Sequence, residues 1–241
     1  MCFTVSQQKK GLVIFIKDAN LLNGDYQIKI QLDQMQDNFF VSGFQYPGLA
    51  ILKENEVDMY HWGLIPFWTK TDEDANNIRS MTLNARSETI FEKPSYRSAI
   101  KTQRCILPVN GFFEWKEVNK EKIPHFIFPK ESPLFYFGCL YDKWNNHETG
   151  EIINTFSIIT VPSNPMMTEI HNSGQNKHRM PLIISEKDIE QWNDPSLKKE
   201  NIEQLMEPYN QNFMDAYTIS NKANFSRESR NVPEILQKVQ Y

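Results

Sequence analysis

The 241-residue chain carries 26 Lys and Arg against 30 Asp and Glu, a formal charge of −4, with 40% apolar residues. That balance supplies a sizeable core and excludes a polyanion-coating surface, so any nucleic-acid contact has to be a local basic groove. Three cysteines without metal-like spacing exclude a disulfide framework. With no leader-like N-terminus and no membrane-length apolar run, they point to a cytoplasmic protein.

Cys2 stands directly behind Met1. Once Met1 is trimmed, Cys2 presents a primary amine and a thiol two carbons apart. An α-amine titrates at roughly 7.7–8.0 and a free thiol at about 8.5, so both nucleophiles are partly available at neutral pH. Together they close on an aldehyde carbon as a thiazolidine ring. Cys105 and Cys139 lie in apolar runs and read as buried, inert thiols.

Along the chain, apolar, β-branched and aromatic runs between turn residues predict strands at Leu12–Lys17, Tyr26–Leu32, Leu49–Lys53, Met59–Ile65 and Cys105–Val118. Further strands are predicted at His125–Phe128, Phe135–Tyr141, Thr155–Val161, Met180–Ile184 and Ala216–Ile219. Ser87–Lys101 has near-helical spacing and should break or bend at Pro94. Ser185 opens a helix to about Trp192, and Pro195 starts another to about Met206. No repeat or Gly/Ser linker divides the chain. The expected class is α+β in one domain, a mainly antiparallel or mixed sheet curled into a barrel-like core with a few peripheral helices.

Four segments set polar residues among apolar ones: Leu83–Thr89 (LNARSET), Leu107–Lys116 (LPVNGFFEWK), Ile158–Pro165 (IITVPSNP), and Glu169–Asn172 (EIHN) followed by His178–Ile184. With Met1-Cys2 and the tract Trp62–Trp68 (WGLIPFW), they resemble the SOS-response-associated peptidase family over nearly the whole chain. The resemblance implies covalent capture of abasic sites in single-stranded DNA through Cys2. No histidine pair has the spacing and context of a metal site, so neither metal nor cofactor is expected, and the protein is expected to be a monomer that is nucleoid-associated when bound to DNA.

On that reading Glu114, in an apolar strand whose burial raises its pKa, does acid–base work near the Cys2 amine; a solvated strand residue is the bland alternative. His171 assists sugar-ring opening, and Asn84 holds the Cys2 amine or a sugar oxygen. Arg86 and Arg179 suit phosphates, or else pair with Glu88 or Glu169. Trp68 with Phe67 suits stacking on a base beside the lesion, and Thr160 a backbone contact. Two departures stand out. Phe3-Thr4 replaces the Gly-Arg that follows Cys2 in many members, so that Phe3 would pin the terminus by packing. The spacing from His171 to Arg179-Met180-Pro181 is lengthened by Ser173–His178, leaving His178 as a second candidate histidine and Lys177 as an extra phosphate contact. Two other readings stay open: a cysteine peptidase or autoprocessing hydrolase using Cys2, and a non-catalytic single-stranded-DNA-binding module.

Overall fold

The computed structural model describes residues 2–22, 27–28, 35–54, 56–225 and 229–241. In chain order the elements are β1 (Thr4–Gln7), α1 (Lys9–Leu22), β2 (Gln27–Ile28), β3 (Asn38–Ser42), β4 (Gly48–Lys53), β5 (Glu56–Trp62), α2 (Asp72–Met81) and β6 (Asn84–Arg86). There follow α3 (Ala99–Thr102), β7 (Arg104–Val109), β8 (Gly111–Val118), β9 (Glu121–Pro129), β10 (Phe135–Asn145) and β11 (Ile152–Pro162). The chain ends with α4 (Pro165–Ile170), β12 (Arg179–Pro181), α5 (Ile189–Asn193), α6 (Lys199–Leu205) and β13 (Met214–Thr218).

Five strands close into a barrel. Antiparallel pairs run β11–β10–β7–β4–β5, and β5 returns to β11 in parallel at His61–Thr155 and Trp62–Phe156. The α+β, barrel-like expectation therefore holds. Closure leaves these strands little edge, so their runs can be apolar on both faces: every residue of β7 and the first eight of β10 are buried. β6 and β12 lengthen the barrel wall by pairing with the second half of β11. A second sheet, ordered β13–β9–β8–β1–β3, packs beside it. Phe112 of β8 meets the Phe137 ring of β10 edge-on at 5.6 Å. Gln7 of β1 ties the sheets with polar bonds, donating to the carbonyls of Ala50 (2.8 Å) and Pro108 (3.0 Å) and accepting from the Ala50 N–H (2.9 Å).

Several local expectations change. The predicted strand Leu12–Lys17 lies within helix α1. Leu12, Phe15 and Ile16, at i, i+3 and i+4, enter the core together, and that packing overrides the β preference of Val13 and Ile14. The run Cys105–Val118 is two strands. Asn110 breaks it, donating its N–H to the Ser6 carbonyl (2.8 Å) and accepting from Gln8 N–H through Oδ1 (2.7 Å). The stretch Ser87–Lys101 is broken around Pro94, as one of the two expected outcomes had it: a 3₁₀ turn at Ser87–Thr89, further turns, and then the short α3. The strand expected at Met180–Ile184 is the shorter β12, and the helix expected from Pro195 begins at Lys199. The strand expected at Tyr26–Leu32 lies outside the described residues except for Gln27–Ile28.

Candidate active site

Strands β1, β6 and β8 and the end of α4 converge on Cys2. The β1–β8 register pairs Val5 with Phe112 and Ser6 with Gly111, which runs the terminus along β8 in the direction of Glu114. Cys2 is 1% exposed. Its main chain is gripped by Asn84, whose Nδ2 donates to the Cys2 carbonyl at 2.8 Å. Asn84 is held in turn by the Tyr96 hydroxyl, which donates to the Asn84 carbonyl at 3.2 Å. The Phe3 ring packs on Phe44 at 4.9 Å, and the Gly43 N–H donates to the Phe3 carbonyl at 2.8 Å. Phe3 thus fastens the terminus by packing.

Two titratable side chains meet behind Cys2. Glu114 is buried on β8, and its Oε2 lies 3.8 Å from His171 Nδ1. Burial raises the Glu114 carboxyl to about 7, so both protonation states are populated at neutrality. His171 caps the C-terminus of α4, a helix started by Asn164, whose Oδ1 accepts the Met167 N–H at 2.8 Å. Burial lowers the His171 imidazole to about 4. It is neutral at working pH, and the 3.0 Å contact from Nδ1 to the Arg179 carbonyl favours the Nδ1–H tautomer with Nε2 as the basic nitrogen. The Cys2 thiol is pushed well above its ordinary range, first by burial and next by Glu114. Asn84 Oδ1 is buried and finds no hydrogen-bond partner among the described residues. It is an acceptor beside the residue whose amine trimming would create.

Cys2, Asn84, Glu114 and His171 are therefore brought together. His178 is exposed, with a left-handed backbone (φ 60°) at the far end of the loop, and it is His171, not His178, that lies against Glu114. The predicted DNA contacts separate into two groups. Arg86, on the same face of β6 as Asn84, is exposed and meets the Asn176 side chain rather than a carboxylate. Phe67 and Trp68 are 57% and 44% exposed on the turn after β5. That turn is fixed by the Phe67 N–H donating to Asp142 Oδ2 at 2.9 Å.

Arg179 and Thr160 do not present themselves to a phosphate. Buried Arg179 forks onto Glu88 at 2.6 and 2.9 Å and spends its other donors on Thr160 Oγ1 (3.2 Å) and the Thr160 carbonyl (2.6 Å). Thr160 is fully buried, its hydroxyl donating to the Ala85 carbonyl at 3.4 Å. This is the ordinary ion-pair alternative, and it locks β6, β11 and β12 together behind the site. Phe44, Asn172 and Asn176 border the site without any residue-type signal that marked them. Only the lengthened loop hinted at the last two. Among the described residues no three His, Cys, Asp or Glu side chains converge as a metal site would need, and no helix is long and apolar enough to cross a membrane.

The chain is 37% identical over 185 residues to the abasic site processing protein YoqW of Bacillus subtilis, covering 76% of this chain and 77% of that one. It is 34% identical over 158 residues to the abasic site processing protein HMCES of Gallus gallus, covering 57% and 45% respectively. A crystal structure of a Bacteroides thetaiotaomicron protein superposes with a TM-score of 0.88 at 41% identity, over 99% of this chain and 100% of that one. A Bordetella bronchiseptica structure shares the fold at 18% identity, with a TM-score of 0.72 over 91% of this chain and all of that one. Residues 13–226 match the model of the SOS response associated peptidase (SRAP) family. The chain belongs to that family.

Proposed function

We propose that this protein, once relieved of Met1, processes abasic sites in single-stranded DNA by forming a thiazolidine between Cys2 and the open sugar aldehyde. The observation that carries the reading is the Asn84 grip. Its Nδ2 fixes the Cys2 carbonyl, and its unpartnered Oδ1 supplies an acceptor for the new amine. The relatives named as abasic site processing proteins support the same substrate.

The chemistry balances with the residues in place. The amine nitrogen attacks the aldehyde carbon, and a proton moves from nitrogen to oxygen. The hydroxyl then leaves as water, taking a second proton and giving the imine. The sulfur adds to that carbon while its proton passes to nitrogen, so the net change is loss of one water. Glu114, near 7, can give a proton to the departing hydroxyl and take one from the amine within a cycle. Neutral His171 accepts from the sugar hydroxyl as the ring opens. A resting thiol held protonated by burial suits this late sulfur addition better than a peptidase, whose nucleophile needs thiolate at the outset.

Incubation with a single strand carrying one abasic site should give a band that survives heat and denaturant, with intact mass equal to protein plus DNA minus water. Intact DNA should give none, and Cys2→Ala should abolish the band. Persistence of the adduct in Cys2→Ala, or its formation by material that retains Met1, would sink the ring mechanism.

A further inference from the structure

Ser173–His178 lengthen the chain between His171 and Arg179, and with Asn172 the loop is tied down at three points. The Asn172 carboxamide bridges the backbone of Glu117, accepting its N–H at 2.8 Å and donating to its carbonyl at 2.9 Å. Strand β1 covers that edge of β8 only at Phe112 and Gly111, so Asn172 completes an edge that β1 leaves open. Ser173 accepts a hydrogen bond from the Lys122 ammonium of β9, itself 2.8 Å from Glu117. Asn176 accepts from Arg86 Nη2. The loop closes on itself where the His178 N–H donates to the His171 carbonyl at 2.9 Å, and Gly174 turns it at φ 87°.

We propose that Asn172 and Asn176 are positioning residues for the capture reaction: Asn172 locks His171 against the strand that carries Glu114, and Asn176 orients Arg86 toward a phosphate beside the lesion. This rests on the abasic-site reading above. Asn172 follows His171 directly, and Glu117 lies three residues beyond Glu114 on β8. The two-bond bridge therefore sets the distance between the two proton-transfer groups. Asn176 engages a single nitrogen of the Arg86 guanidinium, so the remaining edge can still fork onto a phosphate. Holding a long side chain in its bound rotamer removes an ordering cost from DNA binding.

His171 is faced by Glu114 from β8, Lys122 from β9, His178 and Arg179 from its own loop and β12, and, after trimming, the Cys2 amine. Loosening the loop admits water to this pocket, and the imidazole returns toward its ordinary range. Single-turnover crosslinking at saturating abasic DNA, followed from pH 4 to 8, reads this out. Asn172→Ala should slow the reaction by at least about tenfold and add, to the fall that follows amine protonation, a further break in the rate profile near pH 6 that the parent shows only near 4. Should that variant fail to fold, Asn172→Asp keeps the acceptor for the Glu117 N–H and loses the donor, and an intermediate slowing is expected.

For Asn176 the probe is a single strand bearing a tetrahydrofuran abasic analogue, which cannot react. Asn176→Ala should raise its Kd about two- to tenfold, and should add nothing in an Arg86→Ala background. Rate profiles of Asn172→Ala and parent that superimpose, or Asn176 and Arg86 effects that add in full, overturn the proposal while leaving adduct formation standing. A parent protein that forms no adduct overturns both readings.

Discussion

Glu114 and His171 are buried against each other with pKa shifts in opposite senses, and this has a measurable consequence for stability. The Glu114 carboxyl rises from 4.5 to about 7 on folding, so the unfolded chain ionises first, and stability falls as pH climbs between those values. The His171 imidazole drops from 6.5 to about 4, so the unfolded chain takes up the proton first, and stability rises as pH climbs between about 4 and 6.5. The two slopes oppose each other over most of the same window. Glu114→Gln removes one of them. Above pH 7 the variant should exceed the parent by up to about 3 kcal/mol, the gap closing by pH 4.5. Urea unfolding across pH 4–8 measures the difference, and parallel curves would mean that Glu114 is not held protonated by the fold. At this scale the sequence was informative about residue types and silent about partners. Cys2 stood out by its place behind Met1, and Asn84, Glu114 and His171 as polar residues among apolar ones at the segments that carry the family resemblance. Arg179 was not, because an arginine near a site looks the same whether it faces a phosphate or, as here, Glu88.

The elements show a similar division. Strands β4, β7, β10 and β11 were visible as apolar, β-branched runs because the closed barrel buries both faces. Helix α1 was not, since Val13 and Ile14 imitate a strand until Leu12, Phe15 and Ile16 are seen packing as one face. Helix α2 carried an unused signal: Thr71 Oγ1 accepts the Asp74 N–H at 3.1 Å, with Asp72, Glu73 and Asp74 in the first turn. The break at Asn110 separates β7 of the barrel from β8 of the second sheet, and Gly111, just after it, lets β9 approach closely. A Cβ there would stand 2.4 Å from the Ile127 carbonyl oxygen and 2.5 Å from the Phe126 ring. Backbone cannot swing away as a side chain can. Gly111→Ala should therefore cost about 2 kcal/mol or more, read as a lowered urea midpoint. A parental midpoint would show that β8 and β9 are less closely packed than this.

For the whole molecule, charge limits how it can hold DNA. The body carries −4, and the cations bordering the site are few. Arg86 is exposed and Lys177 is exposed on the loop, whereas Arg179 is spent on Glu88 and Lys122 lies against Glu117. With two phosphates engaged, and about 0.7 of a counterion released per contact on a single strand, log K against log salt should slope near −1.4. Fluorescence anisotropy with the unreactive abasic analogue tests this. A slope of −4 or steeper would point instead to an extended basic surface. Composition and patterning alone determined the class and the barrel-forming strands, because burial depends on residue type and local period. The tertiary structure alone decided which histidine meets Glu114, which arginine stays exposed, and that a lengthened loop braces both. Those outcomes depend on which distant strands become neighbours, and local sequence does not encode that adjacency.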